Sequence, residues 1–409
     1  MKQNILDQSL TLSSYATSKN RWFKSAMSEA MATANHSPTS DLINLYRIWA
    51  EGGSGIVVTG NVMVDPYALG EPKNVVLTKN SDLNRFEKWA KAGTANGTLL
   101  LMQLNHPGKQ VLKGVVNEAV APSAVPFPPK FQKFFPPCRA LTKKEIWKIT
   151  DQFAQSARLA QTAGFSGVQI HAAHGYLISQ FLSPIHNLRL DEYGGSIQNR
   201  FRFLRDICRS VRQATGSSFT ISVKINSADF LKSGFTEEES LYVIGELEKE
   251  KVDLVEISGG TYEKPAMFDS QIKDSTKRRE AYFIDFAEKV SQKVRVPIVL
   301  TGGFRTKKVM EEALITGVTD MIGVARPLAI HPDLPAQFSS GFADEVHLPD
   351  IKTGFRAIDD AALLELMWYA RQLHRHGAGK PVRPGLSAHS TLLYSILKNG
   401  TDIFQLRRV

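Results

Sequence analysis

Eight short segments, most of them apolar on consecutive positions, recur through this chain, and helical patterns separate them. They are Trp22–Met27, Ile56–Met63, Thr98–Leu104, Gly167–His171, Phe219–Asn226, Leu254–Ser258, Ile298–Gly302 and Met321–Ala325. A strand with one face in water alternates apolar and polar residues. A Val- and Ile-rich run without alternation is covered on both faces, as in a parallel sheet flanked by helices. The stretches between them carry helix signals. Thr142 with Glu145, and Thr236 with Glu239, have the spacing of capping boxes. Ile146, Ile149, Phe153 and Ala157 follow the first box at helical spacing, with Gly164 placed to end the helix. Phe201, Leu204, Cys208 and Val211 form a second stripe closed by Gly216, and Leu241, Ile244 and Leu247 a third. Eight such units predict an α/β protein, a (β/α)8 TIM barrel. An open doubly wound sheet is the alternative, and the absence of G-x-G-x-x-G after the first strand weakens it.

The expected barrel occupies about residues 20–330 of one domain spanning 1–409. Two regions depart from the repeat. A long loop after strand 3, Asn105–Leu141, is rich in Pro and Phe, and a loop of that length is usually a lid or binding element. A C-terminal helical extension, residues 331–409, is expected to pack on the barrel. No apolar run approaches the about 20 residues of a membrane span, and the N-terminus lacks a signal-peptide apolar core, so a cytoplasmic location is expected. Two cysteines, Cys138 and Cys208, exclude a disulfide framework and a four-cysteine iron–sulfur cluster. Cys208 lies on an apolar helix face, and Cys138 sits in a loop without an evident partner. The net charge of +10 is spread along the chain, as at Lys143-Lys144, Lys277-Arg278-Arg279 and Lys307-Lys308. It is read as a solvated surface plus a phosphate-binding site, not as a nucleic-acid footprint.

Active sites of this fold lie at the C-terminal ends of the strands. The polar or small residues there are Ser28, Gly60, Gln103, His171 with His174, Lys224, Ser258-Gly259-Gly260, Gly302-Gly303 and Ala325-Arg326. An amide such as Gln103 donates and accepts at once, matching a pyrimidine edge. A cation such as Lys224 stabilises an anionic ring. In TGGFRT at 301–306, two glycines precede a helix that Thr306 is placed to cap, and a helix start offers free N–H groups to an anion. GVAR at 323–326 repeats the device and adds the fork of Arg326. By themselves these signals indicate a phosphorylated ligand of unspecified kind.

The stretch VQIHAAHGYLISQFLSPIHNLRLDEYGG, 168–195, carries the most specific chemistry. An apolar strand ends in His171, His174 and Tyr176, with Gly175 to turn the backbone. Two imidazoles beside a phenol suit oxygen or anion binding coupled to proton delivery. The string closely resembles the fourth-strand motif of the Old Yellow Enzyme family of FMN-dependent ene-reductases. The resemblance runs from about Leu10 to Leu334. It implies that His171 and His174 bind a substrate carbonyl oxygen and that Tyr176 protonates its alkene. It further implies flavin contacts at Ala26, Met27, Ser28, Gly60, Gln103, His171 and Lys224, and phosphate contacts at Gly302, Gly303, Ala325 and Arg326. Ser28 stands where relatives carry Thr or Cys, and Lys224 where many carry Arg. The DEYGGS loop, 191–196, is implied to be structural.

Blander readings exist for each residue. His-x-x-His also occurs in zinc sites, but no third ligand is evident nearby and no metal is expected. Tyr176 could pack its ring and tie its hydroxyl to backbone. Lys224 could be a barrel-interior lysine paired with a carboxylate, since a buried unpaired lysine is costly. His106, His186 and Asp65 read as loop groups, and Tyr67, Phe127 and Phe304 as packing. The expected function is an FMN-dependent oxidoreductase in which NADPH or NADH reduces FMN and an electron-poor alkene, such as an α,β-unsaturated carbonyl, reoxidises it. The expected partner is a small-molecule α,β-unsaturated substrate, with neither nucleic acid nor membrane, and a homo-oligomer is compatible with the sequence. The alternatives are a dienoyl-CoA reductase relative, a tRNA dihydrouridine synthase, and a non-catalytic flavin-binding protein. The first would carry a cysteine cluster and the second a loop cysteine motif that FPPCR does not match.

Overall fold

Our structure, a computed structural model, describes residues 4–116, 118–261, 280–355 and 362–399. Eight parallel strands close into a barrel: β1 Trp22–Lys24, β2 Ile56–Val58, β3 Leu99–Asn105, β4 Gly167–Ala172, β5 Thr220–Asn226, β6 Leu254–Ser258, β7 Ile298–Thr301 and β8 Met321–Val324. Each pairs with the next, and β8 pairs with β1 to close the ring. Helices α1 Ser40–Glu51, α2 Leu83–Gly93, α3 Lys143–Thr162, α4 Ile197–Thr215, α5 Glu237–Lys249, α6 Ile284–Ser291 and α7 Lys307–Ile315 surround it. Both capping boxes form, at Thr142 with Glu145 and at Thr236 with Glu239. Gly164 and Gly216 follow α3 and α4 with φ of 91° and 78°.

Side chains alternate between two cores, as the strand period of two requires. One set, including Trp22, Val57, Val168, Val223 and Ile257, packs outward against the helices. The other, Phe23, Ile56, Val58, Leu101, Leu254, Val299 and Met321, fills the barrel together with Leu12. Leu12 belongs to an N-terminal hairpin, Leu10–Thr11 with Thr17–Ser18, that covers the N-terminal end of the barrel. Ser13 donates to Asp253 at 2.5 Å, and Ser14 and Thr220 hydroxyls lie 2.9 Å apart. That end is therefore sealed, and the opposite end is left for ligands.

Several expectations need correction. Ile56–Met63 is not one strand. It breaks after Val58, and Val62–Met63 pairs instead with the end of β3. The break lets the Gly60 N–H turn to the Glu29 carboxylate at 3.0 Å. β1 is shorter than expected, since after the Ser25 N–H bond to the Val324 carbonyl the ladder stops. The segment after β3 is not featureless: Ala119–Ala121 pairs with Cys138–Ala140, and Phe127, Phe134, Phe135 and Leu112 form a small core of their own. Cys138 thus lies in a strand, and its thiol donates to the Val125 carbonyl at 3.4 Å. Cys208 is buried in α4 as expected. After β8 come α8 Arg326–Ile330, α9 Leu334–Ser340, α10 Ala362–Gly377 and α11 Ala388–Asn399. α10 packs against α1, where Asn44 donates to the Gly377 carbonyl at 2.8 Å. The Lys277-Arg278-Arg279 cluster lies outside the described residues.

Candidate active site

The open end of the barrel gathers its chemistry at the tip of β4. His171 is the last inward-facing residue of that strand and sits in register with Lys224 of β5. His174 and Gly175 then take consecutive left-handed conformations, with φ of 60° and 77°. A left-handed histidine is unusual, and the Asn226 carboxamide holds it by accepting its N–H at 3.1 Å. Tyr176 follows at the start of a short helix, Leu177–Leu182. The turn brings three rings together: the His171 centroid is 5.1 Å from that of His174 and 4.8 Å from that of Tyr176, both edge-on.

Their environment sets their protonation. Burial first, and the Lys224 cation second, hold both imidazoles well below the usual histidine value, so both are neutral at neutral pH. His171 Nδ1 accepts the Ala173 N–H at 3.3 Å, which places the ring proton on Nε2 as a donor. His174 Nε2 lies 2.8 Å from the Ser258 hydroxyl at the end of β6. Asn61 Nδ2 is 3.4 Å from the Tyr176 hydroxyl, and the buried Asn61 Oδ1 has no partner among the described residues.

Beneath the rings runs a polar belt that only the closed barrel assembles. Gln103 Nε2 donates to Gln169 Oε1 at 2.7 Å, and Gln169 Nε2 donates to Glu256 at 2.9 Å. Lys224 Nζ pairs with Glu256 at 3.0 Å, and the Thr301 hydroxyl donates to the same carboxylate at 2.8 Å. Lys224 is therefore the carboxylate-paired interior lysine that chemistry demanded, and its partner is Glu256, fully buried on β6. Glu256 was not anticipated, although a lone carboxylate inside the apolar run LVEIS was a visible signal.

The ends of β1 and β2 hold a second buried network. Lys24 donates to the Val58 carbonyl at 2.8 Å and lies 4.1 Å from the Trp49 ring centroid. Burial pulls it down to about 8, with Glu29 and Glu256 opposing. Ala26, Met27 and Ser28 run along the mouth between these strands. Ser28 donates to Glu71, and Tyr46 to Glu29; burial raises both carboxyl groups. A Cβ on Gly60 would run into the Glu29 carboxylate, so glycine is needed there for that contact.

The residues expected to hold an anion lie at the ends of β7 and β8. Gly302 and Gly303 have φ of 123° and 89°, and a Cβ on Gly303 would strike the Tyr282 ring. Thr306 does not cap α7 with its side chain. The Glu280 carboxylate sits just ahead of the helix, accepting from Arg305 N at 2.6 Å and Thr306 N at 3.1 Å, while Lys307 N donates to the Asp344 carbonyl at 2.8 Å. A carboxylate competes well for that place because two exposed N–H groups and the helix dipole favour an anion. Ala325 precedes α8 with φ of −118°. Arg326 is paired with Glu365 of α10, a partner the sequence could not reveal.

The remaining residues fall outside the ring cluster. His106 and His186 are buried behind it, where burial lowers them to about 4 and about 3. Phe127 and Phe304 are buried, and Tyr67 is 84% exposed. Tyr193 of the DEYGGS loop is buried, and Asp191 pairs with Arg189 at 2.6 Å, a structural arrangement. Among the described residues no third His, Cys, Asp or Glu joins the two histidines in a metal-sized cluster. No helix there is long and apolar enough to cross a membrane.

Comparison with known proteins gives the family and the fold. The family model of the NADH:flavin oxidoreductase / NADH oxidase family matches residues 8–345. An NADH-dependent flavin oxidoreductase of Hypocrea jecorina is 41% identical over 351 residues, covering 80% of this chain and 86% of that protein. A cinnamate reductase of Clostridium sporogenes is 29% identical over 364 residues, covering 80% of this chain and 52% of that one. The solved Old Yellow Enzyme homologue from Zymomonas mobilis superposes with a TM-score of 0.71 at 26% identity, over 83% of this chain and 93% of its own. The chain accordingly belongs to the NADH:flavin oxidoreductase / NADH oxidase family, that of Old Yellow Enzyme, and is an oxidoreductase whose cofactors are FMN and NAD(P)H.

Proposed function

We propose that this enzyme reduces alkenes conjugated to a carbonyl group. The observation that carries the reading is the cluster at the tip of β4 of the neutral His171 and His174 with Tyr176. The residues present suit FMN. A carboxylate accepts from the Arg305 and Thr306 N–H groups just before α7, which supports an anion-compatible loop there, and the cofactor phosphate would lie beside Gly302, Gly303 and Ala325. Ala26, Met27, Ser28, Gly60, Gln103 and Lys224 would face the ring system, with Arg326 at the phosphate. Bound FMN supplies hydride exchange between the nicotinamide and the substrate.

The chain's own residues do the rest. The His171 Nε2–H and one N–H of His174 bond the carbonyl oxygen, polarise the double bond and stabilise the enolate charge that develops on it. Neutral imidazoles suit this role because they donate without giving their protons away. Tyr176 gives its hydroxyl proton to the α carbon, and burial of the cluster excludes competing water. Cytoplasmic location and a small-molecule substrate are consistent with this chemistry.

The test is anaerobic. FMN-loaded protein mixed with NADH or NADPH is expected to bleach, and cyclohexenone is expected to restore the flavin absorbance with formation of cyclohexanone. A chain that cannot be loaded with FMN, or a reduced enzyme that no enone reoxidises, overturns the proposal.

A further inference from the structure

The loops leaving β1 and β2, the start of α1 and the C-terminal helices α10 and α11 line a half-open cavity of about 360 Å3. That is large enough for a small organic ligand. Its walls carry Lys73, Arg371, Arg375 and Lys380 against one carboxylate, Asp41, with the Tyr394 ring among them. Arg371 and Arg375 are four residues apart on α10, a spacing at which like charges repel on one helix face. Among the described residues none of the four cations is paired with a carboxylate. Arg371 instead donates to the Ser390 hydroxyl at 2.9 Å and lies 4.7 Å from the Tyr394 ring centroid, and Arg375 donates to the Pro381 carbonyl at 2.8 Å. Burial, and then the neighbouring Arg375 and Arg383, lower Arg371. Lys73 and Ala30, on opposite loops of the cavity, both hold left-handed backbones, with φ of 58° and 50°. The fold thus lines one cavity with four cations, Lys73 and Lys380 exposed to solvent and Arg371 set among like charges, an excess that an anionic ligand would offset.

The cavity is also coupled to the candidate active site. His374, on the same helix, bonds the Glu29 carbonyl at 2.7 Å. The Glu29 carboxylate in turn takes the Gly60 N–H, and Ser28 is the preceding residue.

We propose that this cavity is a second ligand site that takes a nucleoside diphosphate group. Two phosphates supply the charge to meet Lys73, Arg371, Arg375 and Lys380, and a base can stack on Tyr394. The group can come from a dinucleotide reductant or from a separate nucleotide. The proposal does not rest on alkene reduction, because binding alone tests it.

The probe is ADP, titrated calorimetrically into FMN-loaded, full-length protein at low salt, with inorganic phosphate as a comparison. Saturable one-site binding is expected, tighter for ADP than for phosphate. Arg371→Gln with Lys380→Gln is expected to weaken ADP by about tenfold or more, the scale of lost charge-assisted contacts. Lys73→Gln, on a loop far from α10 in sequence, is expected to weaken it as well, and circular dichroism checks that each variant is folded. Displacement of ADP by NADH or NADPH assigns the group to the reductant, and simultaneous binding assigns it to a separate nucleotide. Absence of saturable binding at millimolar ADP, or equal affinity in wild type and folded variants, overturns the site.

Discussion

Tyr176 is where the two half-reactions come apart. Tyr176→Phe keeps the ring against His171 and removes only the hydroxyl. Flavin reduction by NAD(P)H needs no proton from this residue and should stay near the wild-type rate. Enone reduction should slow by about 10²–10⁴-fold if the phenol is the general acid. Stopped-flow absorbance separates the two, and equal slowing of both would point to a disturbed pocket instead. The histidine pair has its own signature. A para-substituted phenol is expected to bind FMN-loaded protein as the phenolate and give a long-wavelength charge-transfer band. His171→Ala with His174→Ala should abolish the band while FMN stays bound. Burial and Lys224 hold both rings well below the usual histidine range. The pH profile of enone KM should therefore show no inflection near 6.5. An inflection there would mean that the rings titrate normally and are not the buried pair described.

The helix start at α7 is an element with two competing anions. Glu280 holds the Arg305 and Thr306 N–H groups, and the proposed FMN phosphate needs the same region. Glu280→Ala should tighten FMN binding, read as flavin fluorescence quenching, because the phosphate no longer displaces a carboxylate. Unchanged or weaker binding would mean that Glu280 shapes the phosphate loop and does not compete with its ligand. Arg326 links α8 to α10 through Glu365. Arg326→Ala should weaken FMN by roughly 1.5–3 kcal/mol if the guanidinium also reaches the phosphate. If it serves only the helix contact, thermal stability falls and FMN affinity does not change.

Across the whole molecule, buried histidines link folding to pH. His106 and His186 sit near 4 and 3 in the fold, against about 6.5 in an unfolded chain, and His171 and His174 are also depressed. Below about pH 6.5 the unfolded chain takes up these protons and the folded chain does not, so the stability they confer is complete above that pH. It is lost progressively on acidification toward the folded values, by about 1.4 kcal/mol per pH unit for each group. Burial raises Glu29, Glu71 and Asp229, and these act in the opposite sense, since the folded chain protonates them first. A single substitution isolates the histidine contribution. His106→Asn keeps an acceptor for the Gly108 N–H, bonded at 3.1 Å to His106 Nδ1. In urea unfolding it should lose about 2 kcal/mol less than wild type between pH 6.5 and 5. An identical pH dependence would show that His106 titrates alike in both states.

The architecture was legible because it is local and periodic. Eight Val- and Ile-rich segments, most without alternation, point to cover on both faces, and capping residues such as Thr142 and Thr236 set helix starts within their own turn. The cluster of His171, His174 and Tyr176 was legible for the same reason, since one strand end and one turn contain it. What the sequence left open is every pairing between distant segments. Gln103, Gln169, Glu256, Lys224 and Thr301 form one belt only after closure of the barrel brings their strands side by side. The two N–H groups just before α7, of Arg305 and Thr306, are taken by Glu280 from another segment, and the Thr306 side chain caps nothing. Arg326 found Glu365, and the ladder stops after β2 where the Gly60 N–H turns to the buried Glu29 carboxylate. Residue spacing determines helices, strands and turns because their hydrogen bonds close within a few residues. Only the tertiary structure decides which buried charges meet, because each needs a counter-charge or donor from wherever the fold can supply one.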